Sequence, residues 1–169
     1  MPFQTLVPLS MEDLLSTSSV LERKRKNLLI AFRHMGRCIY GGLYDPENKN
    51  GLIDKNGFRT DVIECMKELR VPVVRYPGGN FVATYKWLDG VGPREKRPKR
   101  PELAWLGTES NHFGTDEFME WCRVVGAEPY LALNMGTGTL EEGESYSSRV
   151  WNILTNIQSP CLARILQFR

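Results

Sequence analysis

Three short segments rich in glycine and asparagine are where this sequence could do chemistry. They span residues 40–42, 75–80 and 134–138, and each follows an apolar run that predicts a β-strand. The carboxyl ends of parallel strands meet at one edge of a sheet, where ligands bind. Asn80 carries both a donor and an acceptor, which suits vicinal hydroxyls, although a turn also accounts for it. Arg75 predicts either an ion pair with a neighbouring carboxylate or contact with a ligand, because an unpartnered charge there is costly.

The long segment between Asn80 and Gly114 adds aromatic side chains, among them Tyr85, Trp87 and Trp105. Aromatic rings beside polar residues suit stacking on the apolar face of a sugar ring. Packing of the loop onto the rest of the fold is the alternative for each of them. The site chemistry is therefore polar, aromatic and compatible with sugars, with no catalytic pair in view.

Residues 94–100 hold five basic side chains and one acidic side chain. An exposed charged loop is the favoured interpretation, and a nucleic-acid-binding segment is the alternative. The sequence contains no Gly-x-Gly-x-x-Gly or Walker motif, so a nucleotide cofactor is not expected. His34 and His112 lie far apart with no Cys/His cluster near them, so no metal site is expected.

The elements that would position these residues alternate between strand and helix. The strands are expected at 37–40, 71–75 and 130–133. Between them, Asn56 would cap a helix with an apolar face of Phe58, Val62, Cys65/Met66 and Leu69, and Thr115 would cap a helix that ends at Gly126. This βαβαβ order predicts an α/β fold with a parallel sheet. A further helical stripe is expected at Val150, Ile153/Leu154 and Ile157, stopped by Pro160.

Composition excludes several classes of protein. The 169 residues are 41% hydrophobic and 25% charged, and 22 basic against 20 acidic residues leave a formal charge of +2. Nothing here favours nucleic acid or acidic lipid as a partner, and no apolar run is long enough to span a membrane. Four widely spaced cysteines predict reduced thiols, and the first thirty residues do not resemble a signal peptide. A cytoplasmic location is therefore expected.

A succession of motifs in one order resembles the α-L-arabinofuranosidases of glycoside hydrolase family 51. The motifs are HMGRCIYGGLY (34–44), NGFR (56–59), LRVPVVRYPGGNF (69–81), WLDGVGP (87–93), NHFGTDEF (111–118) and NMGTG (134–138). The resemblance divides the chain into an unassigned segment at 1–32, a partial barrel domain at 33–140 and a divergent tail at 141–169.

The resemblance implies a partial (β/α)8 TIM barrel containing about the first three strands and two to three helices. It also implies retaining hydrolysis of terminal α-L-arabinofuranosyl residues from arabinoxylan and arabinan oligosaccharides, by two glutamates about 5 Å apart. In the family those glutamates follow the fourth and seventh barrel strands, so both are expected to be absent from this chain. The 169 residues alone, the product of a truncated gene model in this interpretation, are then expected to be inactive.

By position, the residues that match the family's arabinose pocket are Arg75, Asn80 and Trp105. Arabinose-containing oligosaccharides or polysaccharides are the expected partners, and full-length members are often homo-oligomers. The alternative functions are a non-catalytic carbohydrate-binding module that uses Asn80 and Trp105, and a nucleic-acid-binding module built on residues 94–100.

Overall fold

A computed structural model describes residues 29–33, 38–48 and 51–155. Several sequence-based expectations lie outside these ranges: the segment before residue 29, His34, Arg37, Ile157, Pro160 and Cys161. In chain order the elements are β1 (Leu29–Arg33), α1 (Thr60–Glu68), β2 (Val73–Gly78), β3 (Arg100–Glu102), β4 (Gly107–Glu109), α2 (Thr115–Val125), β5 (Glu128–Leu131) and α3 (Leu140–Thr155).

The central sheet has three strands in the order β1-β2-β5, all parallel. Arg75 in β2 lies opposite Ala31 on one side and Tyr130 on the other. Helix α1 connects β1 to β2, and α2 precedes β5. The mixed α/β class and the parallel βαβαβ order expected from the sequence are confirmed.

The first strand lies earlier in the chain than the sequence predicts. Strand β1 covers Leu29–Arg33, whereas residues 38–44 form tight turns in which Leu43 N donates to Cys38 O and Gly41 N donates to Tyr44 O. Ile39 is 1% exposed because it packs into the core from this turn. The strand predicted at 37–40 is therefore wrong: its apolar residues serve core packing, and Gly41 at a φ of 76° lets the chain reverse.

Helix α1 also begins later than predicted, at Thr60, and Asn56 does not cap it. Asp54 organises the preceding turn instead, since its Oδ1 accepts hydrogen bonds from Asn56 N at 2.8 Å and Phe58 N at 2.9 Å. The buried helical residues are Ile63 and Met66, whereas the predicted face included Cys65 and Leu69, which are exposed. The prediction is confirmed for Phe58 and Met66, which are in the core, and for Val62, which packs against it. It is wrong for Cys65 and Leu69, because Phe58 precedes the helix and does not set its phase.

Helix α2 agrees more closely with its prediction. Phe118, Trp121, Cys122 and Val125 are buried, and Gly126 ends the helix at a φ of 84°. The N-cap is Gly114 and not Thr115: Gly114 N donates to Glu117 Oε2 at 2.8 Å. Thr115 is the first helical residue, fully buried, with its hydroxyl donating to Tyr146 Oη at 3.3 Å.

The two faces of the sheet have different surroundings. Val74 and Tyr76 are 0% exposed and pack with the helices, and the Tyr76 ring stacks on Phe118 with centroids 4.8 Å apart. Arg75 alternates to the opposite face, where its register partner Tyr130 is 52% exposed. Within the described residues, only one face of this parallel sheet is covered, although parallel sheets are normally covered on both.

The segment between β2 and α2 is ordered by turns and a hairpin. Three 3₁₀ turns at Gly79–Ala83, Trp87–Gly90 and Arg94–Lys96 lead into β3 and β4, which pair antiparallel. Gly90 and Gly114 bring the segment into backbone contact with the start of α2: a Cβ on Gly114 would lie 2.2 Å from Gly90 O. The sequence predicted a long loop here, without the hairpin.

Helix α3 begins with a capping box that the sequence analysis missed. Glu142 N donates to Thr139 Oγ1 at 3.2 Å, and Thr139 N donates back to Glu142 Oε2 at 3.0 Å. Val150 and Ile153 pack against the core as predicted. No helix among the described residues is long and apolar enough to cross a membrane.

Candidate functional site

Arg75 and Asn80 lie at and just beyond the carboxyl half of β2. Arg75 is partly buried on the uncovered face of the sheet, and its side chain makes no ion pair or hydrogen bond with any residue in the described ranges. Asn80 is exposed in the 3₁₀ turn that follows Gly78, and its side chain again makes no hydrogen bond inside those ranges. The ion pair considered for Arg75 is therefore not formed with the described residues.

Trp105 lies at the tip of the β3–β4 hairpin, between Glu102 and Gly107, with its side chain 49% exposed. Its neighbour Leu106 is 94% exposed and has a φ of 56°, in the left-handed region that is unusual for leucine. The exposure of Trp105 thus does not support the alternative that this side chain packs onto the rest of the fold. Tyr85, which raised the same question, is buried and does pack into the fold.

A cleft of about 360 Å³ separates the 3₁₀ turn that carries Asn80 from the hairpin that carries Trp105. Phe81 lines one side and Leu103 the other, each close in sequence to one of these residues. Arg75, Asn80 and Trp105 do not themselves line this cleft. Apart from Tyr85, sequence reasoning missed its lining residues, because they look like ordinary loop residues until the hairpin is known.

Arg97 holds the loop that forms this cleft in place through hydrogen bonds and an ion pair. It is 9% exposed, donates to Gly92 O and Asn111 O, and forms a two-fold ion pair with Glu117 at 2.9 and 3.1 Å. Burial alone would raise the pKa of Glu117, but hydrogen bonds from Arg97 and from Gly114 N–H outweigh it and hold that pKa below its usual value.

The basic segment 94–100 is therefore not a free charged surface. Arg94 contacts Glu117 and lies over the Tyr44 ring, 5.2 Å from its centroid, while Arg100 pairs with Asp89 at 2.8 Å. The prediction of an exposed charged loop is wrong for Arg97, because its guanidinium neutralises a buried carboxylate. Three of the five basic side chains thus have acidic partners.

The side chain of Glu109 is buried at the inner end of the cleft, with 5% of the residue exposed. It accepts a hydrogen bond from Asn111 N at 2.6 Å and a short one from the Tyr40 hydroxyl. Burial first, and then the charge of Glu109, raise the pKa of Tyr40 far above its usual value, so the phenol keeps its proton. The Oε1 atom of Glu109 therefore accepts two hydrogen bonds in this position.

Two further glutamates belong to the start of α3. Glu142 pairs with Lys86 at 2.8 Å and caps α3, and Glu141 is exposed in the first turn of that helix. In the described part of the chain, no three His, Cys, Asp or Glu side chains form a group that could hold a metal ion.

The family model "Alpha-L-arabinofuranosidase 1 domain" matches residues 65–161. Alpha-L-arabinofuranosidase C of Emericella nidulans is 74% identical over 109 residues, which are 64% of this chain and 21% of that protein. The intracellular exo-alpha-(1->5)-L-arabinofuranosidase of Bifidobacterium longum is 55% identical over 108 residues, or 64% of this chain and 19% of that protein. The chain thus spans about a fifth of the length of these relatives.

Solved structures give the same result. The alpha-L-arabinofuranosidase of Thermotoga maritima, in an arabinose complex, superposes with a TM-score of 0.65 and 55% identity over 68% of this chain and 23% of that one. The family 51 enzyme of Thermotoga petrophila matches equally well, with a TM-score of 0.65 and 55% identity over the same shares of the two chains.

The fold and these matches define the class first: this is a mixed α/β piece of a glycoside hydrolase. More particularly, the chain belongs to the α-L-arabinofuranosidase family, as the resemblance in the sequence indicated.

Proposed function

We propose that this chain supplies the arabinofuranose-recognising part of an α-L-arabinofuranosidase that releases terminal α-L-arabinofuranosyl residues from arabinoxylan and arabinan oligosaccharides with retention. Arg75 and Asn80 contact the terminal sugar, and Trp105 stacks on it or on the unit beside it. The exo-(1->5) specificity in the name of the Bifidobacterium relative supports a linear arabino-oligosaccharide as one substrate.

The observation that carries this proposal is that the Arg75 side chain has no partner among the described residues. A partly buried guanidinium without a partner among the described residues costs free energy unless a ligand or another segment meets it. Its five donors suit sugar hydroxyls, and Asn80 adds an amide at the end of the same strand. Ligands of parallel α/β folds bind at this end of the strands.

We also propose that the three-stranded sheet is the opening part of a (β/α)8 barrel. The face with Arg75 and Tyr130 then becomes the barrel interior, and β1 and β5 provide the edges at which further strands pair. The helix-covered face with Val74 and Tyr76 matches the outside of such a barrel. The similarity to family 51 structures supports this assignment.

The 169 residues alone bind sugar without hydrolysing it. Retaining hydrolysis requires a nucleophile and an acid/base, both carboxyl groups at the sugar. Glu117 is committed to Arg97, Glu109 to Tyr40 and Asn111, and Glu142 to Lys86. None of these lies at the end of a sheet strand beside Arg75.

Two assays on the purified chain test the proposal. Saturation-transfer NMR with L-arabinose should show contact with the protein, and Arg75→Ala and Asn80→Ala should each weaken the affinity at least tenfold. Lys67→Ala, an exposed basic residue at the end of α1, is the control and should bind as the parent does. An absence of arabinose contact would contradict the recognition role.

The second assay measures release of 4-nitrophenol from 4-nitrophenyl α-L-arabinofuranoside. The expected rate equals that of buffer, while a longer relative assayed in parallel turns the substrate over. Turnover by the 169-residue chain that Asn80→Ala abolishes would contradict the claim that this chain does not hydrolyse its ligand.

A further inference from the structure

The turn that carries Asn80, Gly79–Ala83, is attached to the rest of the fold mainly at its end. Strand β2 fixes the chain as far as Gly78, and Gly79, with a φ of 66°, has no side chain that could anchor the start of the turn. The end of the turn lies against residues 134–138, which connect β5 to α3 and which we call the β5–α3 loop. Contacts between these two segments therefore determine the position of Asn80.

Thr137 in the β5–α3 loop bonds to the turn through both its backbone and its side chain. Its N–H donates to Ala83 O at 3.0 Å, and its hydroxyl donates to the same oxygen at 3.0 Å. Gly136 lies so close that a Cβ on it would be 2.6 Å from Ala83 O. The loop thus contacts the last residue of the turn at its carbonyl group.

Asn134 shapes the β5–α3 loop and makes a second contact with the segment that carries Asn80. Its Oδ1 accepts hydrogen bonds from the N–H groups of Gly136, Thr137 and Gly138 at 3.1, 3.0 and 3.2 Å. Backbone N–H groups only donate, so these bonds identify which end of the amide is the oxygen. The other end, Nδ2, donates to Tyr85 O at 3.0 Å.

The Asn134 amide also orients the Thr137 hydroxyl. Nδ2 donates to Thr137 Oγ1 at 3.2 Å, so that oxygen acts as an acceptor on one side and donates its own proton to Ala83 O on the other. Two side chains of the loop thus form a continuous chain of hydrogen bonds that ends on the turn.

The contact at Tyr85 reaches Asn80 through aromatic packing. The Tyr85 and Phe81 rings have centroids 4.9 Å apart, and both residues are less than 10% exposed. Phe81 directly follows Asn80 in the chain. Fixing Tyr85 O therefore also restrains the peptide that carries the Asn80 side chain.

Lys86 adds a third contact, which is weaker. Its Nζ pairs with Glu142 at 2.8 Å and lies 3.5 Å from Thr137 O, and all of these groups are exposed. Exposed ion pairs contribute little free energy. The positioning role therefore falls on Asn134 and Thr137.

From these contacts we infer that Asn134 and Thr137 are positioning residues for arabinose binding, which hold the Gly79–Ala83 turn so that the Asn80 amide is already ordered when the sugar arrives. The inference rests on the proposed function, because it takes Asn80 as a sugar contact. Neither side chain has to touch the sugar. Preordering a contact residue removes part of the entropy lost on binding, so loosening these bonds weakens the affinity.

NMR titration of the whole chain with L-arabinose tests the inference. Asn134→Asp keeps an oxygen for the three loop N–H groups but replaces the donor to Tyr85 O by a second oxygen, and should weaken binding about fivefold or more. Thr137→Val removes the hydroxyl that donates to Ala83 O and should weaken binding about threefold. Thr137→Ser keeps the hydroxyl and should bind as the parent does.

Thr84→Val is the matched control, because it removes the same hydroxyl from a residue nearer to Asn80. The Thr84 hydroxyl lies 3.5 Å from Phe81 O, within its own segment, and in the described part of the chain it makes no hydrogen bond to the β5–α3 loop. This variant should bind arabinose as the parent does. Thermal unfolding of each variant establishes that it is folded at the temperature of the titration.

A double variant distinguishes positioning of Asn80 from a general effect on the fold. If Asn134 acts through Asn80, then Asn80→Ala combined with Asn134→Asp should bind no more weakly than Asn80→Ala alone, because the side chain to be positioned is gone. A general weakening of the fold would add its own loss to that of Asn80→Ala.

The outcomes separate this inference from the proposed function. Parental affinity in both Asn134→Asp and Thr137→Val, an equal loss in Thr84→Val, or additive losses in the double variant would overturn the positioning role and leave arabinose recognition by Asn80 standing. A parent chain that does not bind arabinose would overturn both. Losses at Asn134 and Thr137 that are absent in Thr137→Ser and absorbed by Asn80→Ala support the inference.

Discussion

Arg97 carries its positive charge inside the protein because five hydrogen bonds surround its guanidinium. Breaking such a buried pair by changing one partner leaves the other charge uncompensated, at a cost of about 3–5 kcal/mol. We therefore expect Glu117→Gln to lower the free energy of unfolding by about that amount. Urea unfolding measures it. Glu120→Gln, which removes an exposed pair with Arg123 on the same helix, is the control and should change stability by less than about 1 kcal/mol.

The same pair makes stability depend on pH. The pKa of Glu117 is lower in the folded chain than its ordinary value of 4.5, so its ionised form stabilises the fold at pH values above 4.5. As the pH falls through the lower folded pKa, the carboxylate becomes protonated in both states and that contribution disappears. The difference in unfolding free energy between the parent and Glu117→Gln should be constant from pH 7 to about 5 and shrink below pH 4.5. A difference that grows on acidification would contradict this assignment.

At Leu106 we expect a substitution to raise the free energy of unfolding, not to lower it. Its left-handed backbone costs about 1 kcal/mol for a residue with a branched side chain, and with 94% exposure the side chain contributes little burial in return. Leu106→Asn should raise the free energy of unfolding by about 0.5–1 kcal/mol, since asparagine tolerates this conformation. Leu103→Asn, at the same tip without a positive φ, is the control and should not stabilise the chain.

At the scale of secondary-structure elements, the turn before α1 shows that residue type alone does not identify a helix cap. Asn56 has the right residue type for a helix cap, but Asp54 accepts the backbone hydrogen bonds there. Asp54→Ala should cost about 1–2 kcal/mol, whereas Asn56→Ala should cost less than about 0.5 kcal/mol. Thermal unfolding of the two variants decides between the turn and the cap, and equal losses would favour neither assignment.

The elements that were predicted correctly have strong local signals. Helix α2 combines an apolar stripe with acidic residues in its first turn and a terminal Gly126, and β2 is a short β-branched run, so both could be located from the sequence. Strand β1 could not, because the segments 29–33 and 38–43 are both apolar and only sheet pairing distinguishes them. The hairpin was missed for a related reason: β3 and β4 have three residues each, and neither shows alternation.

Part of the candidate site could likewise be predicted from the sequence, and part of it could not. Arg75, Asn80 and Trp105 could be named because they stand in long recognisable motifs, whereas the cleft beside them could not. Glu109 and Asn111 reach that cleft only because Arg97 holds the loop against α2, a contact between residues far apart in sequence. Long-range side-chain contacts of this kind leave no periodic signal in a sequence.

For the whole molecule, two exposed aromatic side chains, one on β5 and one on α3, govern how the chain binds apolar molecules in solution. Tyr130 and Trp151 are 52% and 41% exposed, and Trp151 lines a second cleft of about 280 Å³ between β5 and α3. Apolar surface of this extent binds dyes and other apolar partners. The native chain should therefore enhance ANS fluorescence, and Tyr130→Ser with Trp151→Ser should reduce the enhancement at least twofold.

The control for that measurement is Leu69→Ser, which removes an apolar side chain of at least equal exposure just after α1, away from β5 and α3. It should leave ANS binding nearly unchanged. Equal reductions in the double variant and in the control would show that the dye reports general surface apolarity and not these two aromatic side chains.

The Arg97 contacts also decide where this protein can accept additional sequence. Arg97 contacts Gly92, Asn111 and Glu117, and these contacts divide the long segment between β2 and α2 into two shorter closed segments. The hairpin tip at 103–106 projects beyond them. Loop-closure entropy rises slowly with length, so a tip of this kind tolerates added residues. A peptide inserted between Leu103 and Leu106 therefore leaves the guanidinium and its acceptors undisturbed, and it changes only the surroundings of Trp105.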